Sequence, residues 1–380
     1  MNSINEDLAI PHWETHWYQL KDTFLFELKD DLLEKLILKG IKKAGNLSLL
    51  CNELNLSSPT FYNLINNKGV NMVSVMKLKK LLDYLGINYN YMNDKILMTK
   101  KGKVISIKNP KFPINLNNED GAYLLGLIVS DGCIFKDKKA RNKFRTKYAA
   151  GEEQSAENFI KIINKLFGEV HIQKEFVRNC ILLRIGSSII GESLLRVGAI
   201  SGRKATVDGE VPWLIKKGTK EMKANYLKAA FDDESSVYKD KKGNYGYITL
   251  SRYRHLNNLT KKQIKELELL DKFMLINKFP TGHITKVITI KKASGLIEDK
   301  KLLSELNKAP KLLQGESKIL KELDIKNRIF AGRLSRTHAG RYSLCFDLHI
   351  ARKGSLTKFY KYIGYSLDRK QNKLINLVVG

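Results

Sequence analysis

The chain has 380 residues, 43% of them hydrophobic, and a formal net charge of +28 from 67 Lys and Arg against 39 Asp and Glu. The length allows two or three domains, and the charge predicts a polyanionic partner such as nucleic acid, although a lysine-rich proteome would explain part of it. Four cysteines without a CxxC pair argue against a zinc site and a disulfide scaffold. No apolar run reaches the length of a membrane span and no signal peptide is visible, so we expect an intracellular protein, cytoplasmic or nucleoid-associated, with no membrane partner.

Residues 1–28 are predicted to form an N-terminal extension with an aromatic segment at 12–17. His12 and His16 have the i, i+4 spacing of two metal ligands on a helix, but no further ligand is close in sequence. Packing of this segment against a neighbouring domain is the favoured interpretation.

Residues 29–95 have the pattern of short consecutive helices. We predict these helices at about 30–44, 47–54, 58–68 and 73–85. The unit resembles a small all-α helix-turn-helix domain of the phage-repressor type, with its recognition helix at 58–67. The resemblance implies that Thr60 and Asn63 contact DNA from that helix. A generic helical bundle, or a helix-turn-helix that contacts only proteins, remains the alternative.

Residues 96–118 are predicted to be a linker. They contain a basic run at 100–103, two prolines at Pro110 and Pro113, and a polar segment that caps the next helix. A short strand at 104–107 is expected within this linker.

Two copies of one pattern, at 123–132 and 226–235, organise the rest of the chain. A gapless alignment pairs Tyr123 with Tyr226, Gly126 with Ala229, and Asp131 with Glu234. Small residues let two helix backbones approach closely, and each helix would then deliver one carboxylate to the same place. Two adjacent carboxylates repel, so the pair predicts a divalent cation, Mg²⁺ or Mn²⁺. The alternative is a pair of ordinary core helices that each end in an acid.

These residues resemble the LAGLIDADG homing endonucleases of the single-chain, two-motif type. The resemblance implies an α+β fold with two pseudo-symmetric αββαββα half-domains, at 119–200 and 201–380, whose saddle-shaped antiparallel sheets lie over DNA. It also implies that Asp131 and Glu234 are the catalytic and metal-binding residues. Asp233 leaves the second assignment ambiguous by one position, although the alignment favours Glu234.

Basic residues follow each copy of the pattern, on predicted hairpins and strands that the resemblance places against DNA. These predicted DNA contacts are Lys136, Lys138, Lys139, Arg141, Lys143, Arg145, Lys147, Lys239, Lys241, Arg252, Arg333 and Arg336. A solvated hairpin tip is the alternative for the run at 136–147. The resemblance also implies a basic residue or glutamine beneath the acids, for which Gln154, Lys147 and Arg252 are equal candidates. The second half is longer than the first and predicts an insertion between about 252 and 316.

The favoured function is a site-specific, double-strand DNA endonuclease of the intron-encoded homing type, which uses a divalent metal and acts as a monomer. A transcription regulator that has kept this scaffold and lost cleavage is the first alternative. An intron maturase, with intron RNA as its partner, is the second. An intein is disfavoured, because the chain starts at Met1 and ends at Gly380 without the Cys or Ser start and the His-Asn end of splicing chemistry.

Overall fold

The computed structural model describes residues 13–57, 72–101, 104–137, 143–177, 179–202, 204–239, 246–278, 284–337 and 340–379. The α-helices in these ranges are α1 (Leu32–Ala44), α2 (Leu47–Glu53), α3 (Val75–Leu85), α4 (Glu119–Val129), α5 (Glu153–Phe167), α6 (Ser188–Arg196), α7 (Lys204–Val207), α8 (Trp213–Lys217), α9 (Lys220–Glu234), α10 (Lys261–Leu269), α11 (Ile290–Ser294), α12 (Lys300–Asn307), α13 (Lys311–Glu322), α14 (Lys353–Tyr362) and α15 (Asp368–Val378). Within the described ranges, no helix combines the length and the apolar character needed to cross a bilayer.

The strands pair in antiparallel sheets, which gives the chain a mixed α/β architecture. They are β1 (Glu14–Thr15), β2 (Leu25–Leu28), β3 (Met72–Ser74), β4 (Ile96–Lys101), β5 (Val104–Lys108), β6 (Ile114–Asn115), β7 (Gly132–Asp137), β8 (Lys143–Ala150), β9 (Glu169–Val170), β10 (Ile172–Val177), β11 (Cys180–Ile185), β12 (Ser235–Lys239), β13 (Gly246–His255), β14 (Leu275–Lys278), β15 (Ile284–Thr289), β16 (Arg328–Thr337) and β17 (Tyr342–Ile350).

The N-terminal region contains a sheet as well as helices, and one short strand of this sheet, β3, lies within the unit at 29–95 that was predicted to be all-α. The strand order is β3-β2-β4-β5-β9, and β2 pairs with both β3 and β4. This pairing buries Phe26 and Leu28, whereas strands of three or four residues are too short to show a clear period of two in the sequence. The predicted recognition helix at 58–67, with Thr60 and Asn63, lies outside the described residues.

The predicted linker at 96–118 is largely ordered strand. β4 and β5 pair with each other, and β5 also pairs with β9, which belongs to the next part of the chain. The sheet therefore ties the N-terminal region to the segment that follows α4, which a free linker would not do.

From Glu119 to Arg196 the elements run helix, two strands, helix, three strands, helix, and the first of the three, β9, pairs with β5 and not with the other four strands. The four strands form one sheet in the order β10-β11-β8-β7. Phe159 and Ile163 of α5 are fully buried, and the partner on the sheet is Tyr148, whose ring stacks on Phe159 with centroids 4.6 Å apart. The helices therefore cover one face of the sheet and leave the other face to solvent.

The second copy of the pattern is followed by a larger sheet of six strands in the order β12-β13-β17-β16-β15-β14. The first four of these strands repeat the order of the smaller sheet, β7-β8-β11-β10. The extra strands β14 and β15 come from the predicted insertion and pair at the free edge of β16. This region also supplies α10, α11 and α12, so the insertion both widens the sheet and adds helices beside it.

Candidate active site at the crossing of two helices

The helices α4 and α9 cross at Gly126, where their backbones are in direct contact. A Cβ atom at this position would lie 2.4 Å from the carbonyl oxygen of Tyr226 and 2.6 Å from the Cβ of Ala229. Those distances are far below van der Waals contact, so the crossing requires glycine here. The small residues of the repeat thus set how closely the two helices approach.

The crossing brings the two repeated acids to the ends of neighbouring helices. Glu234 is the last residue of α9, and Asp131 follows α4 by two residues, with its carbonyl oxygen accepting a hydrogen bond from the Ala149 amide at 3.1 Å. The Asp131 side chain reaches solvent, and that of Glu234 is 27% exposed. Crowding by protein atoms and the charge of Glu234 raise the pKa of Asp131 to about 6. The two carboxylates are therefore close enough to repel each other.

Arg252 lies beneath Glu234 in a network of buried charge. Its Nε and Nη2 atoms donate to the two carboxylate oxygens of Glu316 at 3.1 and 2.6 Å, and its Nη1 lies 3.2 Å from Glu234. Nη2 also donates to the Ser130 hydroxyl at 3.2 Å. Arg252 is 4% exposed and Glu316 is fully buried. This placement favours the predicted role of Arg252 beneath the acids and removes it from the predicted DNA contacts, because its guanidinium faces the interior.

Two lysines hold the C-terminal ends of the crossing helices in equivalent ways. The Lys204 ammonium donates to the carbonyl oxygens of Ile128 and Ser130, and the Lys370 ammonium donates to those of Phe231, Asp232 and Ser235. Ile128 and Phe231 are paired in the gapless alignment of the repeat. A positive charge at a helix C-terminus is favourable, so each lysine offsets the placement of a carboxylate there.

Burial disfavours the charged form of both ammonium groups. Desolvation lowers the pKa of Lys204 to about 8, with the Arg252 charge adding to the effect, and desolvation lowers that of Lys370 to about 8. Sequence reasoning missed both lysines. A second repeat in the sequence could have found them, because Arg-Lys pairs stand at 203–204 and 369–370, after the helices α6 and α14.

Asp233 is the other candidate for the second repeated acid. It contacts a tyrosine, whereas Glu234 contacts Arg252. The Tyr148 hydroxyl donates to its Oδ1 at 2.7 Å, and its buried Oδ2 has no partner within the described part of the chain. Burial, and next the Asp131 charge, raise the pKa of Asp233 well above its usual range. The preceding Asp232 accepts from the Tyr123 hydroxyl at 3.0 Å and from the Ser366 amide at 2.9 Å. Asp232 therefore joins α9 to the start of α15.

The two repeated acids line different cavities. Asp131 lines one of about 260 Å³, together with Glu152, Asp233, Lys370 and Lys373. Glu234 lines another of about 300 Å³, which Lys204 and Arg252 also line. Each acid therefore has one of the two capping lysines in its own cavity.

A cation at the crossing would have two carboxylate donors, Asp131 and Glu234. No group of three or more His, Cys, Asp or Glu side chains that could hold an ion occurs among the described residues. Mg²⁺ is commonly held by one or two carboxylates together with substrate phosphates and water. Asp131 and Glu234 fit that kind of site, because both reach solvent and their mutual repulsion would be relieved by a cation.

The predicted DNA contacts divide between the two faces of the sheets. Arg145 and Lys147 alternate with the buried Thr146 and Tyr148 on β8, so they lie on the open face of the smaller sheet. Lys136 lies on the other face, with its ammonium 5.3 Å from the Phe144 ring centroid. Lys138, Lys139, Arg141 and Lys241 lie outside the described residues, and for Lys143 only the strand position is described.

In the larger sheet, Arg333 is exposed and pairs with Cys345 on the open face. The Arg336 guanidinium binds Asp271 and lies 3.8 Å from Glu268. The Lys239 ammonium donates to the Asn376 carbonyl oxygen at 3.1 Å. Gln154 donates to the Ser366 carbonyl oxygen and accepts from the Asp368 amide, so its side chain joins α5 to α15.

No family model matches this chain, and no curated protein matches it. Solved structures similar to it include the homing endonuclease I-DmoI in complex with DNA and Ca, with a TM-score of 0.36, 15% identity, and coverage of 67% of this chain and 96% of that chain. Full-length DUF199/WhiA from Thermatoga maritima has a TM-score of 0.33 and 13% identity, with 69% and 60% covered. The N-terminal LAGLIDADG domain of DUF199/WhiA has a TM-score of 0.33 and 11% identity, with 70% and 90% covered. Likenesses this weak carry no functional conclusion, which must come from the site itself.

Proposed function

We propose that the chain is a site-specific endonuclease that hydrolyses both strands of a DNA duplex with the help of a divalent cation. The observation that carries this proposal is the crossing at Gly126, which brings Asp131 and Glu234 within electrostatic reach of each other at the end of each helix. In this proposal, each crossed helix and the strands that follow it form one of two pseudo-symmetric halves of the enzyme. Asp131 and Glu234 are the catalytic residues. Two acids with a purely structural role would have no reason to lie side by side and open to solvent. Here they do, although their proximity raises the pKa of Asp131.

Asp131 and Glu234 would hold Mg²⁺ or Mn²⁺ together with phosphate oxygens of the DNA. When bound, such an ion activates water and stabilises the leaving oxygen in phosphodiester hydrolysis. The chain itself must keep the carboxylates ionised and in place. Lys204 and Arg252 oppose the upward shift of the Asp131 pKa, as does Lys370, so these cations favour the charged form that binds metal.

The basic residues on the open faces of the sheets would bind the duplex. Arg145 and Lys147 on one sheet and Arg333 on the other are the described members of the predicted set that lie on an open face. The net charge of +28 supplies the general attraction for phosphates. We also propose that a helix-turn-helix at 29–95 adds DNA contacts through Thr60 and Asn63.

The proposal is tested by incubating the full chain with a plasmid library of randomised inserts in Mg²⁺ and sequencing the cut ends. We expect cleavage at one sequence by the wild-type chain, loss of cleavage in Asp131→Asn, and unchanged affinity of Asp131→Asn for the same duplex. Glu234→Gln should behave in the same way. Absence of cutting in every library with Mg²⁺ and Mn²⁺ would exclude the nuclease.

One observation favours a second candidate, a DNA-binding regulator without cleavage. The Arg252 guanidinium lies 3.2 Å from Glu234 and already supplies a positive charge to this carboxylate, which reduces its need for a metal. Such a regulator would bind one DNA sequence tightly in EDTA and would not nick it when Mg²⁺ is restored. A nuclease would nick or cut that sequence under the same conditions.

A further inference from the structure

The larger sheet carries a row of aromatic rings across four neighbouring strands on its open face. We call the four residues the aromatic row: Tyr238 on β12, Tyr247 on β13, His349 on β17 and Phe330 on β16. The ring centroids of successive members are 4.9, 4.8 and 4.8 Å apart, and Tyr247 and His349 are stacked with an angle of 10° between their planes. The row therefore forms a continuous aromatic surface.

Both ends of the aromatic row are open to solvent. Tyr238 is 48% exposed and Phe330 is 46% exposed. A large aromatic ring on the uncovered face of a sheet keeps apolar surface in contact with water. Contiguous exposed apolar surface of this kind commonly marks a binding site. The row is thus better suited to receive a planar ligand than to support the core.

A cavity of about 570 Å³ opens beside Phe330 and His349. Four of the residues that line it are cationic, and we call them the basic rim: Lys321, Lys326, Arg328 and Arg352. No acidic residue lines the cavity, and among the described residues no member of the rim makes an ion pair. Arg328 is the direct cross-strand partner of His349. Unpaired positive charge therefore lies next to an open ring face.

We propose that the aromatic row and the basic rim bind single-stranded nucleic acid, with an unpaired base stacked on Phe330 and His349 and the adjacent phosphates on Arg328 and Arg352. A base pair inside a duplex offers only its edges to a protein in the grooves. An unpaired base offers its flat face, and stacking on aromatic side chains within a basic groove is the usual way to bind it. The aromatic row shares the open face of the larger sheet with Arg333, so a single strand would bind there in competition with a duplex.

The test uses the full chain and fluorescein-labelled oligo(dT) and oligo(U) of about 12 nucleotides, a length within the range of known single-strand sites. Fluorescence anisotropy would give the Kd of each strand and of a duplex of the same length. We expect Phe330→Ala to weaken single-strand binding by about fivefold or more, from the stacking lost per base. Tyr362→Ala is the matched control, because Tyr362 is 50% exposed at the end of α14 and does not line the cavity, and it should leave all Kd values unchanged.

Phe330→Trp supplies a direct readout of stacking. This variant should keep the wild-type Kd, and its added fluorescence should be quenched when a strand binds. Tighter binding of oligo(dT) would identify a DNA strand as the natural ligand, and tighter binding of oligo(U) would identify RNA. Unchanged binding in Phe330→Ala, an equal loss of duplex binding, or no quenching in Phe330→Trp would each overturn the proposal. Asp131→Asn should bind both strands normally, so failure of the nuclease proposal and failure of this one are separable.

Discussion

Arg252 forms a bidentate ion pair with Glu316, in which Nε and Nη2 lie 3.1 and 2.6 Å from the two carboxylate oxygens. Glu316 is fully buried. Glu316 comes from α13, whereas the other edge of the guanidinium faces Glu234 and Ser130. The second half of the chain therefore supports the position of one repeated acid through a charge buried in its interior.

Glu316→Gln should destabilise the fold strongly, because it leaves the buried Arg252 charge without its main partner. We expect the free energy of unfolding to fall by about 3–5 kcal/mol, as when one member of a buried ion pair is removed. Urea denaturation measures this. Glu322→Gln is the control on the same helix: Glu322 is 40% exposed and pairs with Lys223 at 2.8 Å, so its loss should change stability by about 1 kcal/mol or less. Equal effects of the two substitutions would contradict a buried pair.

Gly126→Ala should force α4 and α9 apart. The new methyl group would overlap the Tyr226 carbonyl oxygen and Ala229, so we expect a loss of about 1–3 kcal/mol in unfolding free energy, as for overpacked cores. Gly354→Ala in α14 is the control, because a Cβ there meets nothing within 4 Å. It should be neutral or stabilising by up to about 1 kcal/mol, since alanine favours helix over glycine. A stable Gly126→Ala variant would show that the helices do not touch at this residue.

The pH dependence of the unfolding free energy should reveal the raised pKa of the Asp131 carboxylate. The pKa of Asp131 is about 6 in the folded chain and lies near the ordinary value of about 3.9 when unfolded. Between these values the folded chain binds more protons, so the contribution of Asp131 to stability falls as the pH rises from about 4 to about 6. Asp131→Asn lacks this change.

Urea denaturation of both proteins between pH 4 and 7, without divalent ions, isolates the effect of Asp131. The unfolding free energy of the wild-type chain minus that of Asp131→Asn should decrease over this interval. In a Glu234→Gln background the decrease should become smaller, because the Glu234 charge is one of the two largest causes of the shift. A constant difference across the interval would mean that Asp131 titrates normally.

Lys370→Met should weaken the end of α9. It removes the donor for the carbonyl oxygens of Phe231, Asp232 and Ser235. We expect a loss of about 1–3 kcal/mol, the penalty for leaving a buried acceptor unsatisfied. Lys373→Met is the control, since Lys373 lines the same cavity but is exposed. Hydrogen exchange should show faster exchange at the end of α9 only in Lys370→Met.

The sequence predicted the elements that have strong local signals. The repeat around Asp131 and Glu234 and the helix cap at 117–120 follow from spacing and capping. β2, β3 and β4 were missed because they are short and pair across long stretches of sequence. The contacts of Lys204, Lys370 and Glu316 depend on where distant helices meet, and no local pattern specifies that.

The extra strands β14 and β15 make the two halves of the molecule unequal, although the internal repeat alone would make them alike. One half presents a sheet of four strands, and the other presents a sheet of six. A duplex lying along both open faces would meet unequal lengths of protein on its left and right arms. A target with twofold symmetry could not match such a surface, so the preferred site should be non-palindromic, with the longer arm under the larger sheet.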